Sequence, residues 1–227
     1  MNFQDTQLIG VLARAESTVS SLSSLLGGLV EKFTARGYSL YLVGGSVRDA
    51  LLGRLGNDLD FTTPARPEVV KEILDEWAET VWDTGIDFGT VSAAYKGQQI
   101  EITTFRSDSY DGQSRNPEVV YGDTLEGDLV RRDFKANAMA IELLADASFK
   151  FHDPLHGLQD VADRVLDTPD KPEISFHDDP LRMLRAARFA SQLEFRVADR
   201  VVDAMRDMAG EIQRITVERV QVELDKL

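Results

Sequence analysis

Two adjacent glycines constrain this chain more than any other feature. Gly44 and Gly45 follow the β-prone run Tyr41, Leu42 and Val43 and precede a short helical run that ends at Gly53. Paired glycines let a backbone take positive φ and approach a ligand closely. Ser46 is placed to cap a helix over Val47–Leu52, and Gly53 to stop it. The free N–H groups at such a helix start suit a phosphate. Arg48 falls in the first turn, where it can add a charged fork. The order predicted is strand, glycine turn, short helix, second strand.

That second strand reads Asn57-Asp58-Leu59-Asp60-Phe61. Side chains alternate faces along a strand, so Asp58 and Asp60 point one way and Leu59 into the core. Two carboxylates this close repel unless a cation lies between them. Hard oxygen ligands suit Mg²⁺, which keeps waters and bridges to substrate phosphates. Glycine turn and paired acids together point to metal-dependent phosphoryl or nucleotidyl transfer. The bland alternative is a surface hairpin with two solvated acids.

Composition narrows the setting. The chain has 227 residues, room for one large or two small domains, and its 43% hydrophobic content suits a globular core. It has no cysteine, which excludes disulfides and thiolate metal sites and fits a reducing compartment. No apolar run approaches a membrane span, and MNFQDTQLIG lacks the features of a signal peptide, so a cytoplasmic protein is expected. The net charge of −14 argues against gripping nucleic acid by bulk electrostatics. An RNA partner would need a local basic patch, or basic parts beyond this sequence.

Leu22, Leu25, Leu26, Leu29, Val30 and Phe33 follow a helical period and predict an amphipathic helix from about Ser20 to Gly37, with little signal before it. Pro67 opens a predicted helix through about Ala78, followed by a short strand at Val81–Asp83. Thr90–Tyr95 and Gln99–Phe105 alternate as two strands about a Lys96-Gly97 turn. Glu101 lies in the second. An antiparallel neighbour would bring it beside Asp58 and Asp60; otherwise it is a solvated strand residue. Arg106–Val120 reads as a long polar loop, functional or mobile. A helix start at Thr124–Asp128 leads to Arg131-Arg132-Asp133-Phe134-Lys135-Ala136-Asn137-Ala138, and then a strand over Ala138–Leu144. Adjacent arginines in an acidic chain are either triphosphate ligands or surface charge. His152 and His156 are spaced like a zinc pair, but Pro154 and Gly157 argue against one helix presenting both.

Pro169–Ile174 is turn-rich and marks the expected boundary, with only helices beyond it. Asp178-Asp179-Pro180 starts a helix on which Asp179, Arg182, Arg185 and Arg188 recur every three residues along one side. This is either a solvated charged face or a reader of bases. Cytosine and adenine each offer an amino donor beside a ring-nitrogen acceptor. An acceptor from Asp179 and a donor from Arg182 would fit both and leave guanine and uracil unpaired. Arg185 and Arg188 would then face ribose or phosphates. Val197–Met208 and Thr216–Leu227 read as two further helices.

GGSVRDALLG followed by DLDF resembles the signature of the class II tRNA nucleotidyltransferase (CCA-adding) and bacterial poly(A) polymerase family. QIEITTFR, RRDFKANA, HDPLHGLQD, DDPLR and ITVERVQVELDKL are similar to its further elements, so the resemblance covers roughly residues 38 to 227. It implies an α+β fold, a DNA polymerase β-like nucleotidyltransferase head with a mixed sheet flanked by helices, followed by an all-helical neck. The expected division is an N-terminal helical segment at 1–37, a head at 38–168 and a neck at 169–227 that continues beyond this sequence. The chain is thus expected to be a head-and-neck fragment. By resemblance, Asp58 and Asp60 hold two Mg²⁺ ions and Glu101 is the third acid. Gly45, Arg48 and Arg132 hold the triphosphate, Asp179 and Arg182 choose the base, and Arg185 and Arg188 assist. A flexible loop near 106–120 helps switch between adding C and adding A. The implied partners are CTP, ATP and the tRNA 3′ end. A poly(A) polymerase or a partial CC- or A-adding enzyme shares these motifs, and a non-catalytic RNA- or nucleotide-binding module is the rival of another class. Lys135 and Ala136 replace the family's usual Thr and branched apolar residue, and Asp178 its usual Glu.

Overall fold

The computed structural model describes residues 3–109 and 118–227. It begins with helix α1, Phe3–Ala35, longer than the period in the sequence suggests. Val11, Ala15 and Val19 continue the buried stripe of Leu22, Leu26, Leu29 and Phe33 upstream of Ser20. They are smaller or more widely spaced, which is why the sequence signal fades there. Among the described residues no helix is long and apolar enough to cross a membrane.

The chain then runs β1 (Leu40–Val43), α2 (Gly44–Leu51), β2 (Asp58–Thr63), α3 (Pro67–Asp75), β3 (Thr80–Trp82), β4 (Thr90–Tyr95) and β5 (Gln98–Thr104). A hairpin of β6 (Arg106–Ser109) and β7 (Glu118–Tyr121) leads to α4 (Leu125–Val130), β8 (Ala140–Leu143), β9 (Phe149–His152), α5 (Gly157–Asp163) and β10 (Val165–Leu166). Helices α6 (Pro172–Asp178) and α7 (Leu181–Leu193), strand β11 (Arg196–Val197), and helices α8 (Asp199–Asp207) and α9 (Val217–Asp225) complete it. Among the described residues seven strands form one mixed sheet in the order β3-β4-β5-β2-β1-β8-β9.

Alternation sorts the sheet into two faces. Leu40, Leu42, Leu59, Phe61, Val91, Ala93, Ile100 and Ile102 enter one core with Leu26, Leu29 and Phe33 of α1, Val47 and Leu51 of α2, and Val70, Ile73 and Leu74 of α3. Val43, Phe105 and Ala140 make a smaller cluster with Leu125 and Leu129 of α4. A third, of Phe176, Met183, Val201 and Ala204, holds the helices past residue 171 together.

Several expectations change. Helix α3 ends at Asp75 rather than Ala78, and half-buried Trp77 stacks on Tyr95 at 3.9 Å just beyond it. The polar segment 106–120 is strand at both ends, because Arg106–Ser109 and Glu118–Tyr121 pair antiparallel. The loop function expected there rests largely on 110–117, outside the described residues. Pro172 opens α6, so half of the expected linker is helical. Beyond it the described chain is helical as expected, except for β11, which pairs in parallel with β10.

Candidate active site

The glycine turn is tighter than the sequence suggests. Gly44 takes φ +67° and is already the first residue of α2. A Cβ there would lie 3.0 Å from Nη1 of Arg132 and 3.7 Å from Oδ2 of Asp60. Both the backbone conformation and the close approach therefore require glycine. Ser46 does not cap the helix, since α2 starts before it. Its buried hydroxyl accepts a hydrogen bond from the Asp60 N–H (3.0 Å) and donates to the Asp58 carbonyl (3.4 Å). One side chain thus ties the helix to the strand at both acidic residues.

In β2 Leu59 is buried while Asp58 and Asp60 are exposed, the expected alternation. Glu101 does come beside them, but through a parallel pairing of β2 with β5, not the antiparallel one expected. The antiparallel neighbour of β5 is β4. Asp60 stands opposite Glu101, and Asp58 opposite Gln99. Desolvation pushes the Asp60 carboxyl above its ordinary pKa, and the Glu101 and Asp58 charges add to this against Arg132 and Arg48. Such a group favours a nearby cation. Among the described residues no three or more of His, Cys, Asp and Glu form a ready metal cage. The donor set is open and oxygen-only, which fits a hard ion completed by water and phosphate oxygens. His152 lies instead against Glu142 at 3.3 Å, and His156 precedes α5.

A cavity of about 300 Å³ lies between this sheet face and α7. Asp60, Glu101, Arg132, Asp179, Arg182 and Arg185 line it, together with Arg106, Arg131, Asp133 and Arg219. The last four were not among the predicted site residues. Asp133 and Arg131 are legible only as part of the RRD run, and Arg219 as part of the ITVER segment.

Asp128 is fully buried and receives Arg131 (3.0 Å) and Arg132 (3.0 Å). Burial opposes its charge, but the two guanidinium groups outweigh that and hold its pKa below the usual range. Arg132 is thereby aimed at the Gly44–Asp60 corner, and its buried Nε has no hydrogen-bond partner among the described residues. Asp179 lies just before α7 and accepts from the Leu181 N–H (3.2 Å), and its other oxygen meets Arg219 (2.9 Å). Arg182 is steadied by Ser175 Oγ (2.8 Å) and the Arg131 carbonyl (2.6 Å). Acceptor and donor thus stand in one cavity on a fixed helix start.

Arg48 and Arg188 are placed elsewhere. Arg48 lies on the buried face of α2 and donates to Asn137 Oδ1 (2.7 Å) and to Asp49 (3.0 Å). Asn137 donates to Asp133 (2.9 Å), and Asp133 also takes Arg185 (2.7 Å). Arg188 is buried against Glu223 of α9 (2.7 Å). The guanidinium carbons of Arg48, Arg185 and Arg188 all lie within 5.2 Å of the Phe189 ring centroid. These arginines join α2, α7 and α9 into one polar core. Of the predicted site residues, Arg48, Arg188, Gly45 and Asp58 do not line the cavity.

Lys135 points away from the cavity. Its Nζ meets Asp167 (2.7 Å), which also takes Arg200 of α8 (2.7 Å). Gly157 packs so closely on the Lys135 carbonyl that a Cβ there would overlap it.

A mixed sheet with paired acids beside a glycine-led helix, faced by arginine-bearing helices, is the architecture of a polymerase head domain. Residues 40–167 match the family described as "Poly A polymerase head domain", and the chain belongs to that family. Residues 194–227 match "Probable RNA and SrmB- binding site of polymerase A". Over 200 residues the chain is 40% identical to the CCA-adding enzyme of Listeria innocua, taking in 88% of this chain and 49% of that protein. The crystal structure of the Bacillus stearothermophilus CCA-adding enzyme in complex with CTP is similar, with a TM-score of 0.77 and 36% identity over 90% of this chain and 48% of that one. A tRNA nucleotidyltransferase complexed with a primer tRNA and an incoming ATP analog gives a TM-score of 0.71 and 28% identity over 91% and 55%. The chain spans about half the length of the curated relatives it matches.

Proposed function

We propose that this chain is the head and neck of a template-independent tRNA nucleotidyltransferase that adds or repairs the 3′-terminal CCA from CTP and ATP. The observation that carries this is one cavity: it holds the Asp60–Glu101 pair at the sheet and the Asp179–Arg182 pair at α7. The relatives named CCA-adding enzyme support the substrate class. We divide the chain into a helical segment at 1–37, a head at 38–168 and a neck at 169–227. A chain without cysteine suits the cytoplasm.

The chemistry follows from the donors present. Asp58 and Asp60 would hold two Mg²⁺ ions, which when bound lower the pKa of the attacking hydroxyl and steady the leaving oxygen. Glu101 orients the RNA 3′-hydroxyl. The 3′-hydroxyl releases its proton to solvent, its oxygen bonds to the α-phosphorus of the incoming nucleotide, and the bond to pyrophosphate breaks. Arg132 and the Gly44–Gly45 backbone hold the triphosphate, as a guanidinium fork and an open helix start do. Asp179 accepts from the amino group of cytosine or adenine, and Arg182 donates to the adjacent ring nitrogen. Arg48 and Arg188 act behind these groups, by fixing α2 and α7 through Asn137, Asp133 and Glu223.

The match to a poly A polymerase head favours a second reading, a poly(A) polymerase or a partial CC- or A-adding enzyme. Calorimetric titration with each of the four ribonucleoside triphosphates in Mg²⁺ separates them. CTP and ATP bind, GTP and UTP do not, and Arg182→Ala abolishes the discrimination. Binding of ATP alone selects the polymerase, and equal binding of all four overturns the assignment of α7. In primer extension, Asp60→Asn abolishes transfer; undiminished transfer would refute the metal-site roles.

A further inference from the structure

The sheet register carries the row of acids outward to an edge. Asp60 stands opposite Glu101, Glu101 opposite Ser92, and Ser92 opposite Trp82. Residues directly opposite in adjacent strands share a face. Trp82 therefore projects from the same face as the carboxylates, on the edge strand β3. Its neighbour Val81 packs on the core behind the sheet, whereas Trp82 is 43% exposed. At about 4.8 Å per strand, Trp82 stands about 10 Å beyond Glu101. Between them β4 presents Thr90, Ser92 and Ala94, side chains too short to close the face.

The direction matters. The cavity bearing Asp179, Arg182 and Arg132 lies on the α7 side of the acids. An incoming nucleotide placed there leaves the face over β4 and β3 as an approach for the second reactant among the described residues. A strand carrying the attacking hydroxyl can reach the acids over this face, along the row from Trp82 to Asp60. Asp83 and Asp87, both exposed, follow the tryptophan and repel phosphate. What this edge can hold is a base laid on the indole, with the sugar–phosphate chain turned to water.

We propose that Trp82 is a stacking platform for a base of the RNA strand a short distance upstream of its reacting 3′ end. This rests on the nucleotidyl-transfer function proposed above. Stacking needs only a π-face, so the platform accepts any base and positions the strand without reading it.

The test uses this chain, a labelled single-stranded RNA oligonucleotide ending in CC with a free 3′-hydroxyl, and fluorescence anisotropy. Trp82→Ala weakens RNA binding about tenfold or more. Trp82→Phe retains most of the affinity. CTP binding by calorimetry and the thermal midpoint stay unchanged in both. The loss is the same at low and moderate salt, because stacking releases no counterions. Unchanged RNA affinity in Trp82→Ala, a loss that vanishes with salt, or no RNA binding by the unaltered chain overturns the proposal. If CTP and ATP still bind selectively in any of those cases, the platform fails and the nucleotidyltransferase assignment stands. A failure of nucleotide selectivity removes the assignment and the platform together.

Discussion

Replacing Asp160 with asparagine stabilises the protein above about pH 6. Asp160 lies in α5, and its Oδ2 is buried without a hydrogen-bond partner among the described residues. Desolvation pushes its pKa from 3.8 to about 6; Lys135 opposes this, and Asp167, Asp153 and Asp163 add to it. The sign follows from linkage. The folded state holds this proton more tightly than the unfolded chain, so stability is lost as pH rises from about 4 to about 6 and stays lost above. A shift of about two units, at about 1.4 kcal/mol each, sets a ceiling of about 3 kcal/mol, and solvent screening around this half-buried group brings the effect to about 1–1.5 kcal/mol. The replacement side chain carries no charge, and its amide has Asp163 and Asp167 nearby as acceptors. Thermal melts of the parent and Asp160→Asn between pH 4 and pH 8 measure the difference. At about 2–4 °C per kcal/mol, the variant melts about 2–6 °C higher at pH 8, and the gap closes near pH 4. A gap independent of pH, or a less stable variant at pH 8, would refute the reasoning.

Two further replacements probe the supports of the site. Ser46→Ala leaves the Asp60 N–H without its partner and costs about 1–2 kcal/mol in denaturant melts. It also slows primer extension while leaving nucleotide selectivity intact, and an unaltered rate counts against the hydroxyl as a positioning group. Asn137→Ala strips one partner each from buried Arg48 and Asp133 and costs about 2–3 kcal/mol; a loss under 0.5 kcal/mol, within the range of about ±0.5 kcal/mol usual for surface sites, shows that this polar core does not join α2 to α7.

Much of the architecture was legible because local rules sufficed. The exposed acids at 58 and 60 follow from strand alternation around Leu59, and the turn at Lys96-Gly97 from a glycine between two alternating runs. The RRD run was visible, but not that Asp128 anchors both arginines, because nothing in the local sequence says which carboxylate a guanidinium meets. Ser46 looked like a cap, since the sequence shows a polar residue after glycines but not that α2 already begins at Gly44.

The sequence by itself determined the glycine-led turn, the acid pair, the amphipathic helices and the Asp179–Arg182 spacing, because these depend on residue type and on periods of two or 3.6. Tertiary structure alone decided the parallel register that sets Glu101 opposite Asp60, and the row that ends at Trp82. It also decided that Arg48 and Arg188 turn into a shared core around Phe189 while Arg132 and Arg182 face the cavity. Strand partners and guanidinium directions are settled by contacts between residues far apart in the chain. No local pattern encodes them.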